Sequence, residues 1–204
     1  MRLERGLLPF AGAIFVLHQL PSAIGDAGTW LDLGTPFVVL GAAAWALRGA
    51  GGAALVTALA GAVLYADGHG IHLAANDIRG EEPTGDVERV AHFWDERFGH
   101  IEWHLGWLVL LAAFCLAESR RGRLARRDGV AALLLGWTLF TNTVEGGDWG
   151  LTLAAAVIFA GWSLVRPRPT VVACAVACLL AAGLIGVWAA WQGGVPQFSE
   201  LGWI

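Results

Sequence analysis

The sequence predicts an all-α fold, a polytopic membrane bundle of seven transmembrane helices, on three observations. Of the 204 residues, 56% are hydrophobic and 15% charged, with a mean hydropathy of +0.59. A soluble domain carries about 25% charge. Seven apolar stretches approach the roughly 20 residues needed to cross a bilayer core about 30 Å thick. The basic residues number 13, all arginine, and they gather in alternate connections.

The first span is expected over about 6–24. Arg2 and Arg5 precede it as they would a signal peptide, but no clear small-x-small cleavage site follows and the run holds His18, so it reads as a retained helix. Pro21 kinks or ends it, and Pro36 suits the first turn of a second span over 32–47. Further spans are expected over 53–76, 91–117, 129–147, 150–165 and 170–192. The stretch 77–90, with Gly80, Pro83 and Gly85, reads as the one long polar loop. No repeat or linker divides the chain, so residues 1–204 form a single membrane domain. Glycine and alanine within the spans suit close helix packing, inside the bundle or between copies of the chain.

Arginine sets the orientation. Arg2 and Arg5, Arg48, the group Arg120, Arg121, Arg123, Arg126 and Arg127, and the pair Arg166 and Arg168 fall on one side of a seven-span chain. The other side has few arginines, and those in the 77–97 stretch are outnumbered by carboxylates. The positive-inside rule puts the N-terminus in the cytoplasm and the C-terminus outside. The absence of lysine and the abundance of alanine, glycine and arginine suit a high-GC bacterial source, hence an inner (plasma) membrane with the outer face toward the periplasm. Lacking lysine, the chain can form no retinal Schiff base and no P-loop. It also has no basic stripe with interleaved aromatics, so nucleic acid is not an expected partner.

In this orientation all six histidines lie toward the outer side: His18, His69, His72, His92, His100 and His104. Ionisable groups within spans are costly and point to function. His69, His72 and Asn76 share a narrow arc of the third helix, with Tyr65 one turn below. His92, Glu96, His100 and His104 step by four along the next helix, with Asp95 and Glu102 on a neighbouring face. Thr138, Thr141, Asn142 and Glu145 form a stripe on the fifth. Polar faces at one depth must meet each other or water.

Histidine pairs spaced i, i+3 and i, i+4 offer two imidazoles to one metal. His69-x-x-His72 and His100-x-x-x-His104 are such pairs, and His92 is a further ligand candidate with gating as its alternative role. Glu96 and Glu145 are the candidate catalytic carboxylates, moving protons or completing a ligand shell. Asn76, Asn142, Glu102, Tyr65 and His18 are candidates to orient the imidazoles or touch substrate. The ligand types suit a zinc, iron or copper ion. Cys115, Cys174 and Cys178 lie toward the cytoplasmic side, away from the histidines, and read as packing residues.

The expected function is a metal-dependent hydrolase acting on a lipid or other apolar substrate that enters from the surrounding membrane lipid. His100-Ile-Glu-Trp-His104 is similar to the HxxxH motif of the seven-helix alkaline ceramidase and adiponectin-receptor superfamily, a resemblance of five residues that implies zinc-dependent lipid amide chemistry. In that superfamily the pair lies in the last helix, and here it lies in the fourth. The alternatives are a di-iron or copper oxidoreductase, whose histidine pairs resemble those of membrane desaturases and hydroxylases, and a haem b protein with two axial histidines. A transporter, with Glu145 and Asn142 lining an ion path, is the non-enzymatic alternative.

Overall fold

The computed structural model describes all residues except 1–5, 22, 23, 25, 82, 120, 121 and 204. Arg2, Arg5, Arg120 and Arg121 lie outside the described residues. The rest is helical apart from short connections: α1 Leu8–Gln19, α2 Asp26–Ala46, α3 Gly52–Gly80, α4 Asp86–His92, α5 His100–Ala117, α6 Arg126–Glu145, α7 Trp149–Val165 and α8 Pro169–Gln192. A π-helical turn, Phe93–Gly99, joins α4 to α5, so that Asp86–Ala117 is one continuous rod. A 3₁₀ turn follows at Ser199–Leu201.

Among the described residues three helices are long and apolar enough to cross a membrane: Gly52–Gly80, Asp86–Ala117 and Pro169–Gln192. α1 and α7 are shorter apolar helices. Local chemistry fixes several ends. α1 stops at Gln19, just before Pro21. In α6 the Asp128 carboxylate accepts from the Ala125 amide at 2.9 Å, satisfying a free donor of the first turn. α8 opens on Pro169 and closes at Gly193, whose φ of 72° is a left-handed cap.

Two expected boundaries change. α2 begins at Asp26, which puts Pro36 inside the helix rather than in its first turn. Proline lacks the amide that would bond the Asp32 carbonyl, and membrane helices tolerate such a gap where neighbours pack against it. The polar stretch 77–90 is mostly helical as well. α3 continues to Gly80 and α4 starts at Asp86, so the loop shrinks to a few residues. The acidic and basic side chains there project from helices, and their polarity alone does not break a helix.

The axis of the bundle is the pairing of α3 with α5, the most extensive helix contact. It depends on glycine. A Cβ on Gly106 would sit 2.2 Å from the Tyr65 backbone nitrogen, and one on Gly68 would sit 2.3 Å from that of Trp103. The two backbones touch at the level of the histidines, as small residues allow in membrane bundles. α6 packs on α8 and α1, α7 packs on α8, and α1 also meets α2. Phe10, Phe114, Trp107, Leu135 and Leu139 fill the middle. The end away from the histidines is fastened by polar groups. Buried Glu118 accepts from the Thr170 hydroxyl at 2.6 Å, and its main-chain carbonyl accepts from Arg168. Cys115, Cys174 and Cys178 lie in the core as free thiols.

Candidate metal centre

α3 and α5 run side by side, so His72 of one meets His100 of the other, their ring centroids 4.4 Å apart. The π-turn then adds acids. The His100 amide bonds the Asp95 carbonyl, five residues back, and this wide turn sets Asp95 and His100 nearly one above the other. In regular α-helix Asp95 would lie on a different face from His100, as the sequence reading placed it. His72, Asp95 and His100 each bring a ligand atom within 4.8 Å of the other two. Among the described residues this is the one group of three metal-ligating side chains so closely set.

Carboxylates hold the imidazoles in register. Asp95 accepts from His72 Nδ1 at 2.6 Å, Asp32 from His69 Nε2 at 3.1 Å, and Asp148 from His104 Nδ1 at 2.7 Å. Glu96 Oε2 lies 3.5 Å from His100 Nδ1. A carboxylate on one ring nitrogen fixes the tautomer and turns the other nitrogen toward a ligand, as around bound metals. Two ring nitrogens are buried without a hydrogen-bond partner on their free edges, His104 Nε2 and His69 Nδ1, whereas His100 Nδ1 has the Glu96 carboxylate beside it. The donor set of His72, Asp95 and His100, two imidazoles and one carboxylate, fits a metal ion.

Arg79, at the end of α3, bridges the acids. Its Nη1 donates to Asp95 at 2.8 Å and to Glu96 at 2.7 Å. The guanidinium thus fixes both carboxylates of the π-turn. Glu96 also accepts from the Gln197 amide at 3.1 Å. Trp103 stands at the hub, its ring centroid within 6.1 Å of five imidazoles: His18, His69, His72, His100 and His104.

His18 has no nitrogen left for a metal. Asn142 Nδ2 donates to the Thr138 carbonyl, so its oxygen faces His18 and accepts from Nδ1 at 2.9 Å. The Tyr65 hydroxyl donates to His18 Nε2 at 2.8 Å. Asn142, Tyr65 and His18 therefore form one hydrogen-bonded chain across α6, α1 and α3. His69 sits fully buried behind Trp103, outside the close group. His92 and Asn76 are exposed on the wall of the central cavity, also outside the group. Glu145 lines the cavity and also ties down the chain that covers it. Its Oε2 accepts from the Phe198 and Ser199 amides at 2.8 and 3.2 Å, fastening the C-terminal segment over the cavity. Glu102 is not on the cavity, and its charged neighbour is Asp67 of α3. Two residues from both His100 and His104, it points roughly 200° away around the helix.

The cavity measures about 1120 Å³ and opens beside His72, His100 and His104, between the ends of α1, α3 and α6 and the C-terminal segment. Histidine spacing along the helices does not point to Asp32, Arg79, Asp148, Trp103 or Gln197. Asp32 had a signal, a carboxylate within an apolar run. Asp148 and Gln197 had none, because they reach the site only through the packing of α7 and of the C-terminal segment. Comparison with protein-family models, with curated proteins and with solved structures gives no match to this chain.

Proposed function

We propose that this protein is an intramembrane metal-dependent hydrolase whose metal is held by His72, Asp95 and His100. The observation that carries the reading is the approach of these three ligand atoms within 4.8 Å, backed by carboxylate-held imidazoles. Two histidines and one carboxylate with room for water make a catalytic rather than a purely structural ligand set. A divalent ion held by these residues would supply the lowered pKa of a bound water and the polarisation of a carbonyl. Water is the co-reactant of the hydrolysis. Its oxygen bonds the acyl carbon, the C–O or C–N bond breaks, and the proton passes to the leaving oxygen or nitrogen. Glu96, fixed by Arg79 and Gln197 beside His100, is the proton carrier of this reading. Glu145 holds the C-terminal segment in place.

The wider setting belongs to the same proposal. Seven spans, a cytoplasmic N-terminus and a site near the periplasmic face of a bacterial inner membrane rest on the arginine distribution. A lipid-like ester or amide then reaches the cavity from the bilayer.

A second reading has a specific basis, because two histidines and one carboxylate also bind non-haem iron in oxygenases. Metal analysis separates the two. Purified protein with one zinc per chain supports hydrolysis, and iron with no zinc replaces it by redox chemistry. His72→Ala and His100→Ala are each expected to abolish stoichiometric metal, with Cys174→Ala unchanged as the control. Full metal content in both histidine variants removes the proposed centre.

A further inference from the structure

We infer that the cavity beside this centre recognises a positively charged group, an ammonium carried by the molecule to be hydrolysed, and repels phosphate and carboxylate. Among the described residues its lining holds six carboxylates, from Asp32, Glu88, Asp95, Glu96, Glu145 and Glu200, against one arginine, Arg79. That arginine is already committed to Asp95 and Glu96. It leaves no free cation to meet an anionic headgroup. A divalent ion at the centre still leaves carboxylates in excess. A cleft lined by one sign of charge between low-dielectric walls concentrates the opposite sign and excludes the same sign.

Two independent features mark the cavity as a place for a ligand. His104 is fully buried and lines the cavity, and its Nε2 has no partner. Asp148, which lies outside the lining, holds its Nδ1, so the unpartnered nitrogen is the one on the other edge of the ring. Aromatic walls are present too, from Trp103 and Phe198. Aromatic faces with carboxylates suit an organic ammonium, which gains from cation–π contact within about 6 Å of a ring. A phosphate would need an arginine free to grip it, and Arg79, the one arginine among the described lining residues, already serves Asp95 and Glu96. An ammonium-bearing substrate presupposes the hydrolytic reading, whereas the cation preference of the cavity does not.

The test uses the metal-loaded full chain in an uncharged detergent, titrated calorimetrically with choline and with inorganic phosphate. Metal content is measured on the same samples. Saturable choline binding without phosphate binding is expected, with an affinity that falls as salt rises. The double variant Glu88→Gln with Glu200→Gln leaves the proposed metal ligands in place and is expected to weaken choline binding roughly fivefold or more. Phosphate binding as tight as choline binding, no saturable choline binding, or an unchanged affinity in the double variant would each overturn the inference. Choline preferred by protein without stoichiometric metal supports the cation preference and separately removes the hydrolytic reading.

Discussion

His72 and His104 occupy equivalent positions at the residue scale, each with Nδ1 on an aspartate, but their free edges meet different surroundings. His72 joins Asp95 and His100 in the close group, whereas His104 keeps a buried nitrogen without a partner. The chemistry therefore rests on single carboxylates as much as on histidines. Asp95→Asn is expected to lower metal affinity at least tenfold, because it removes a ligand atom and the acceptor that orients His72. Equilibrium dialysis against a metal buffer measures this. Glu102→Gln, on the far side of the same helix, is expected to leave affinity unchanged in that assay. The histidine pairs were legible in the sequence because helical spacing is a local property. Their carboxylate partners were only partly legible, since Asp32 and Asp148 come from segments 37 and 44 residues distant in the chain.

At the scale of elements, one π-turn and two glycines build the centre. Hydrophobic periodicity identified the rod containing Asp95 and His100, but a regular α-helix was assumed across it. The wide turn at Phe93–Gly99 has no strong signature in residue type, so its rotation of Asp95 toward His100 was hidden. The glycines act through what they omit. Gly106→Ala is expected to force α3 and α5 apart, costing about 1–3 kcal/mol of stability. Thermal unfolding in detergent reads the loss, and metal affinity should fall with it, because His72 and His100 sit on opposite sides of that seam. The C-terminal segment is a third device. Glu145→Ala frees the Phe198 and Ser199 amides, and faster amide hydrogen exchange is expected at residues 197–199 with no change in α3.

For the whole molecule, the proposed orientation makes a direct claim about access. The native cysteines are buried, so they give a low background for thiol labelling. With Ser199→Cys, a membrane-impermeant maleimide added outside intact cells is expected to label the protein. With Ala125→Cys, labelling is expected only after the membrane is opened. The reverse pattern would invert the topology. By itself the sequence determined the all-helical character, the apolar segments and the histidine spacing, because composition and periodicity are set residue by residue. Only the tertiary structure decided which polar groups meet. Gly68 and Gly106 bring two helices into backbone contact, the π-turn re-aims Asp95, and the packing of α2, the α6–α7 connection and the C-terminal segment delivers Asp32, Asp148 and Gln197. The physical reason is distance along the chain. A helix face follows from neighbours three and four residues away, while a charged pair across the bundle exists only once close packing removes water and each buried group must find a partner.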